Sequence, residues 1–150
     1  MRLWHKELIP VLPREQLVAQ WRECSAIAGA IIKNGRPNHI LINKVMDYDY
    51  EHFISYAKLV RDEMTRRGYR TTETVWNKIA SLKVENYEPL EQEQLYSEWH
   101  NKEYMAICYW NLREKYLCSG ISENDWNKIK TKVINYLYPW EDENSWGDIE

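Results

Sequence analysis

The sequence predicts an all-α protein that forms a compact single domain of about five helices, with its N-terminal segment packed into the core. The 150 residues include only 5 Gly and 5 Pro and contain no repeats, so long stretches are free for helix. Apolar side chains recur at three- and four-residue steps along these stretches. Trp4 and His5 stand at a chain end that normally frays, which indicates that this end is held in place.

The first predicted helix runs for about 20 residues from Pro13, which suits a first helical turn, to the Asn34-Gly35 pair. The next segment, RPNHILINKVMDY, contains a short β-branched patch, and we expect it to be an ordered loop that crosses to the second helix. The apolar positions of the first helix are Leu17, Val18, Trp21, Cys24, Ala28 and Ile31.

The second helix is predicted from Tyr50 to Arg67, because basic residues occupy its last turn and Gly68 follows as a C-terminal cap. A short helix is expected from Thr72 to Lys83, with its apolar side chains on one face.

A long helix is predicted from Leu90 to Leu117. Ser122 then caps a last helix, since Asp125 stands three residues further on as its capping-box partner. We assign residues 1–140 to the single domain and expect residues 141–150 to form an acidic, flexible tail.

The charge is unevenly distributed along the chain. Residues 1–83 carry a net charge of +5 and residues 84–150 a net charge of −8, which together give the total of −3. Such asymmetry is typical of a basic binding face, but ordinary scatter over solvated helix surfaces gives the same numbers. The charge therefore permits a nucleic-acid partner without requiring one.

The composition argues against a membrane span, a metal site and a disulfide framework. No apolar run approaches the roughly 18 residues that a span needs. The 3 Cys and 4 His are not spaced as zinc ligands. We therefore expect a soluble, cytoplasmic protein without a structural metal. We further expect it to be a monomer and to use no cofactor.

The candidate catalytic group is Glu23, next to Arg22 in the segment QLVAQWREC. On the predicted helix Glu23 lies at the flank of the apolar stripe, where a carboxylate can be partly buried beside an arginine. A surface ion pair without function is the alternative interpretation of this dipeptide.

Three segments together resemble the pyrimidine-dimer DNA glycosylase family, whose best-known member is the phage repair enzyme endonuclease V. QLVAQWREC matches a Leu-x-Ala-x-aromatic-Arg-Glu pattern, EMTRRGYRTT matches a cationic helix end, and HNKEYMAICYWNLREKY resembles a later helix with a Leu-x-Glu-Lys pattern. The matching residues are Leu17, Ala19, Trp21, Arg22, Glu23, Arg66, Arg67, Gly68, Tyr69, Leu112, Glu114 and Lys115.

The resemblance implies a DNA repair N-glycosylase with AP-lyase activity that acts on damaged double-stranded DNA. The N-terminal α-amine, here that of Met1, attacks C1′ of the damaged nucleotide, and the imine that forms permits β-elimination. An α-amine loses its proton more readily than a lysine side chain does, so more of it is neutral near pH 7. Glu23 is then the acid/base partner, and Arg22 and Arg2 contact the DNA backbone.

Two departures from the family pattern bear on this mechanism. The reference member exposes a small residue once its initiator methionine is removed, whereas here Arg2 blocks removal, so we expect Met1 to keep its place and supply the amine. Ala26 stands where the reference member has an arginine, which removes one phosphate contact.

Further candidates for DNA binding follow from charge and aromatic character. Cationic side chains can form a phosphate track along the first helix and the following loop. His39 either faces the substrate or is satisfied by backbone groups of its loop. Tyr138 and Trp140 are candidates for base stacking. The residues of the track are Arg14, Arg22, Lys33, Arg36 and Lys44.

Two other functions are compatible with the sequence. The chain can be a helical nucleic-acid-binding module that lacks chemistry, or a protein-interaction domain that uses its acidic C-terminal half. A Glu23 that lies close to the terminal amine in an open basic cleft favours the enzyme, and a buried amine favours the other two.

Overall fold

The computed structural model describes residues 1–84 and 86–139, and within these ranges the chain is helical and contains no strand. The five α-helices of this part are α1 (Arg14–Asn34), α2 (Tyr50–Arg66), α3 (Glu73–Ala80), α4 (Lys102–Leu117) and α5 (Glu123–Leu137). Two 3-10 helices, Lys6–Val11 and Asn43–Asp47, lie before α1 and before α2. The predicted all-α class is confirmed. Trp140 and the predicted tail over 141–150 lie outside the described residues.

Helix α1 begins and ends where the sequence predicts. Pro13 is its N-cap, and the N–H of Gly35 donates to the carbonyl of Ile31 at 2.8 Å. Gly35 adopts a φ of 80°, a left-handed conformation that favours glycine. The predicted apolar stripe of α1 is buried except for Val18, which is half-buried.

The predicted helix from Leu90 to Leu117 is wrong in its first half. Residues 92–99 form turns, and α4 begins only after Asn101, whose side chain accepts a hydrogen bond from the N–H of Tyr104 at 2.9 Å. The buried ammonium of Lys6 explains why these residues are not helical, because it donates hydrogen bonds to the carbonyls of Gln92 and Leu95, both at 2.6 Å. Those carbonyls then no longer serve a continuous helix.

The N-terminal segment is packed into the core, as predicted. Leu3 and Leu8 are fully buried and Trp4 nearly so. The first 3-10 helix packs between α2 and α5, while α1 packs against α2 and α3. Helices α4 and α5 form a hairpin, since Nζ of Lys102 lies 3.5 Å from the carbonyl oxygen of Leu137. No helix in the described part of the chain has the length and apolar character to cross a membrane.

Arg67 connects the end of α2 to the end of the first 3-10 helix. Its guanidinium donates to the carbonyl of Leu12 at 2.8 Å and to that of Pro10 at 3.1 Å. Its Nε also donates to the buried carboxylate of Glu63 at 3.0 Å, and Arg66 pairs with the same carboxylate. Burial by itself raises the pKa of the Glu63 carboxyl, but the hydrogen bonds from Arg66 and Arg67 outweigh burial and lower it overall.

We expect Arg67→Ala to lower the free energy of unfolding by about 3 kcal/mol, because it removes one of the two guanidinium groups that pair with a buried carboxylate and leaves the carbonyls of Leu12 and Pro10 without their side-chain donor. Urea unfolding followed by circular dichroism measures this loss. Arg66→Ala is the matched control: its side chain is two-thirds exposed, so we expect a much smaller loss. Equal losses for the two variants would contradict the assignment.

Candidate active site

The N-terminal segment is held in place by the fully buried side chain of Gln20. Its Oε1 accepts a hydrogen bond from the N–H of Trp4 at 2.8 Å, and its Nε2 donates to the carbonyl of Arg2 at 2.9 Å. Nε2 also donates to the carboxylate of Glu23 at 3.0 Å. A single amide of α1 therefore fixes both the entering backbone and the candidate catalytic carboxylate.

Aromatic and histidine side chains complete the anchoring of this segment. The Tyr56 hydroxyl donates to the carbonyl of Trp4 at 2.6 Å, and the Tyr104 hydroxyl donates to that of Leu3 at 2.6 Å. Nδ1 of His100 accepts from the N–H of Lys6 at 2.9 Å. Five backbone groups of this segment, the N–H groups of Trp4 and Lys6 and the carbonyls of residues 2–4, are thus matched by side chains from α1, α2 or the region of α4.

His5 lies against this framework and is fully buried. Its Nδ1 accepts from the N–H of Glu7 at 3.1 Å, and its ring lies 5.2 Å from that of His100. Burial lowers the pKa of His5 to about 4 and lowers that of His100 as well. Both imidazoles are therefore neutral at pH 7, which suits their roles as hydrogen-bond acceptors.

An open cleft of about 490 Å³ lies where the N-terminal segment meets α1 and α4. Met1 is half exposed at its edge, and Glu23 is partly buried within it. Its lining residues are Met1, Arg2, Trp4, Glu15, Gln16, Ala19, Arg22, Glu23, Asn111 and Lys115. Four of the predicted site residues thus lie together in one cleft: Met1, Arg2, Arg22 and Glu23.

The electrostatics of Glu23 combine burial with nearby positive charge. Burial raises the pKa of its carboxyl, while the α-amine of Met1 and the guanidinium of Arg22 oppose this rise, and the net shift is upward. The backbone N–H of Arg2 also donates to the carboxylate. A carboxyl with a raised pKa that faces an amine is suited to move a proton near neutral pH.

Cationic groups surround this carboxylate. Arg2, Arg22 and Lys115 line the cleft, and the acidic side chains of Glu15 and Glu23 line it with them. The guanidinium of Arg2 lies 5.3 Å from the ring centre of Trp4, which is a cation–π distance. The arrangement favours an anionic ligand with a reactive centre near Glu23.

Other residues that the sequence predicts for DNA binding lie outside the cleft. Arg14 lines a different cleft, with its guanidinium 5.2 Å from the ring centre of Tyr69. Lys33 lies exposed at the end of α1, on the same helix face as Arg22 because the two are 11 positions apart. These residues remain predictions.

The loop after α1 holds three more predicted residues. Arg36 and Lys44 line one cavity, and Lys44 also pairs with Asp47 at 3.9 Å. Nδ1 of His39 accepts from the N–H of Leu41 at 3.3 Å, which matches the interpretation of His39 as a loop residue satisfied by backbone. A substrate-facing role for His39 gains no support from this contact.

Tyr138 is exposed at the end of α5. This position is close to Lys102 at the start of α4, whereas the cleft is lined by Lys115 near the end of α4. Thirteen residues of helix separate those lysines by about 20 Å. Tyr138 therefore lies away from Glu23, and Trp140 is not among the described residues.

Sequence reasoning missed Gln20, Asn111 and Tyr104. Asn111 and Lys115 lie one helical turn apart on α4, and this spacing in the segment WNLREKY was an available signal. Gln20 and Tyr104 act through contacts with the N-terminal segment, which a helical periodicity does not show.

Comparison with known families gives one match. A family model described as pyrimidine dimer DNA glycosylase matches residues 1–77, just over half of the chain. The matched part includes Met1, α1 with Glu23, and α2. Searches of curated proteins and of solved structures found no match.

We expect Gln20→Ala to lower the free energy of unfolding by about 3 kcal/mol, because the buried N–H of Trp4 loses its acceptor and a cavity remains. Urea unfolding measures the loss. Gln16→Ala on the same helix is the control, since Gln16 is only partly buried, and we expect it to unfold close to the wild type. A Gln20→Ala protein as stable as the Gln16→Ala protein would show that the amide does not anchor the segment.

Proposed function

The chain belongs to the pyrimidine dimer DNA glycosylase family, and from this premise we propose that it is a bifunctional DNA glycosylase and AP lyase. Its substrate is damaged double-stranded DNA, and its nucleophile is the α-amine of Met1. The observation that carries the proposal is that this amine and the partly buried carboxylate of Glu23 lie in one cleft, where the charge of the amine lowers the pKa of the carboxyl against the effect of burial. No metal or cofactor enters the proposed reaction.

The first step is base release. The lone pair of the neutral amine attacks C1′ of the damaged nucleotide, and the bond from C1′ to the base breaks. The base leaves with that electron pair and takes up a proton. The Glu23 carboxylate stabilises the positive charge that develops on the sugar and accepts the proton that the amine loses.

The second step cuts the strand. The sugar ring opens to an imine between the Met1 nitrogen and C1′, and removal of a proton from C2′ then expels the 3′ phosphate. In this proposal Glu23 passes its proton to the ring oxygen O4′ as the ring opens, and the freed carboxylate, which Gln20 holds at 3.0 Å, then takes the proton from C2′. Water hydrolyses the imine and regenerates the amine.

Cations at the cleft bind the DNA backbone in this proposal. Arg2, Arg22 and Lys115 contact phosphates next to the lesion, because these three line the cleft beside Glu23. A damaged nucleotide reaches the cleft by leaving the base stack, which costs less where the duplex is already distorted. The further residues proposed to contact DNA are Arg14, Lys33, Arg36, His39, Lys44, Tyr138 and Trp140.

We place this enzyme in the cytoplasm as a monomer. The DNA substrate supports the cytoplasmic location. The cleft supports the monomer, because a single chain forms it from its own α1, α4 and N-terminal segment.

Borohydride reduction in the presence of an abasic-site duplex tests the chemistry. We expect a covalent protein–DNA adduct that peptide mass spectrometry assigns to the Met1 nitrogen. Glu23→Gln should reduce strand cleavage at least 10²-fold while changing duplex affinity little, because the amide keeps the shape of the carboxylate and loses its basicity.

Glu15→Gln is the matched control, since Glu15 lines the same cleft but is exposed. It should cleave like the wild type. An adduct on another residue, or equal cleavage by the Glu23→Gln protein, would contradict the mechanism. A folded protein that binds DNA without any adduct is the non-catalytic binding module instead.

The pH dependence of strand cleavage follows from the raised pKa of the Glu23 carboxyl. The reaction needs both the neutral amine and the carboxylate, so kcat/KM falls more steeply once the pH drops below the pKa of Glu23. This steeper acid limb lies above the usual range for glutamate, which is centred near pH 4.3. Arg22 lowers this pKa, so we expect Arg22→Gln to move the acid limb to higher pH. Arg70→Gln, an exposed change outside the cleft, should leave the limb in place. A limb that moves downward in the Arg22→Gln protein would contradict the assignment to Glu23.

A further inference from the structure

A second cleft, of about 340 Å³, lies where the start of α1 meets the end of α2 and the first turns of α5. Arg14, Arg66, Arg67 and Lys128 line it, together with the ring of Tyr69 and the carboxylate of Asp125. None of the site residues discussed above except Arg14 belongs to it. The cleft is therefore a cationic site separate from that of Glu23.

We propose that this second cleft binds a backbone phosphate of the DNA duplex that flanks the damaged nucleotide. The proposal rests on the proposed function, since it takes DNA as the substrate. It assigns Arg14 and Lys128 as the phosphate-binding residues, with Tyr69 as a positioning residue for Arg14.

The cationic side chains of the second cleft differ in how many hydrogen bonds and ion pairs they already form within the protein. Arg67 donates to the carbonyls of Leu12 and Pro10, and it shares the buried carboxylate of Glu63 with Arg66. Within residues 1–84 and 86–139, neither Arg14 nor Lys128 forms an ion pair with a carboxylate. These two exposed side chains can therefore take an anion from solution.

Two features prepare this place for phosphate. The guanidinium of Arg14 lies 5.2 Å from the ring centre of Tyr69, which limits its freedom before any ligand binds. The cleft also adjoins the first turn of the 21-residue α1, whose N-cap Pro13 contributes no side-chain hydrogen bond. The N–H groups of a first helical turn have no intrahelical partners, so this end of α1 favours negative charge.

The start of α1 brings the second cleft within reach of a duplex bound at the first. Arg14 precedes Glu23 by nine residues, which is about 14 Å along the helix axis and half a turn around it, so the two side chains leave α1 on opposite faces. The axial distance corresponds to the rise of about four base pairs of B-form DNA. Because Arg14 is the first residue of α1, a duplex that runs past the N-terminal end of this helix can bring a phosphate to Arg14 a few base pairs from a damaged nucleotide at Glu23.

Salt dependence of binding to an undamaged duplex tests the proposal. The double variant Arg14→Gln/Lys128→Gln should bind more weakly, and the slope of log K against log salt between about 50 and 200 mM should become shallower by about 1, since the loss of one neutralised phosphate removes about 0.9. Lys130→Gln is the matched control, because Lys130 is an exposed lysine on the same helix but two positions away from Lys128 and outside the cleft. It should keep the wild-type slope.

A slope in the double variant equal to that of the wild type overturns the proposal. Binding of inorganic phosphate to the wild type and to the double variant is a second measurement. If phosphate binds only the wild type while the two proteins give equal duplex slopes, the cleft binds free phosphate and not DNA. That result also overturns the proposal.

A short abasic oligonucleotide separates this proposal from the proposed function. A single strand of three nucleotides with the abasic site in the middle has only one nucleotide on either side and is too short to reach from Glu23 to Arg14, so borohydride should trap it equally on the wild type and on the double variant. No adduct with the wild type overturns the proposed chemistry, whereas the duplex slopes report on the second cleft alone.

Discussion

The buried amide of Gln20 is the interaction on which the candidate site depends. Gln20 sits in the middle of α1, bonds the backbone on both sides of Leu3, and holds the Glu23 carboxylate with the same nitrogen that binds the Arg2 carbonyl. An amide is suited to this task because it donates and accepts at once and carries no charge into the core. The positions of the chain end and of the carboxylate are therefore linked, and a shift of one moves the other.

This arrangement explains why so many polar side chains lie in the core of a small helical domain. An N-terminal segment without regular secondary structure exposes its N–H and C=O groups to the core, where each unpaired group costs free energy. Tyr56, Tyr104 and His100 supply the missing partners at 2.6 to 2.9 Å. The buried Lys6 extends the same principle, since its ammonium bonds the carbonyls of the turns before α4. The buried polar side chains of this domain therefore hold the N-terminal end of the chain in position.

The sequence predicts the local part of this structure well and the long-range part poorly. Periodicity and capping residues located α1, α2 and α5 closely, because those signals lie within a few residues of one another. The start of α4 was wrong, since it depends on the contact of Lys6 with carbonyls more than 80 residues away. The first 3-10 helix was missed for the same kind of reason. Among site residues, Glu23 and Met1 were predicted from a resemblance, whereas Gln20 was missed because its partners lie on other segments.

The extent of the family match bears on how the site is built. Residues 1–77 contain the amine, Glu23, Gln20 and Tyr56, so the candidate catalytic pair and half of its anchoring lie within the matched segment. The other half lies beyond it: Tyr104 and His100 bind the backbone of the N-terminal segment, and Lys115 closes one wall of the cleft. Because the chain end cannot be positioned from one side alone, α4 and the turns before it are needed for the geometry of the site even though the reacting groups come from the matched segment.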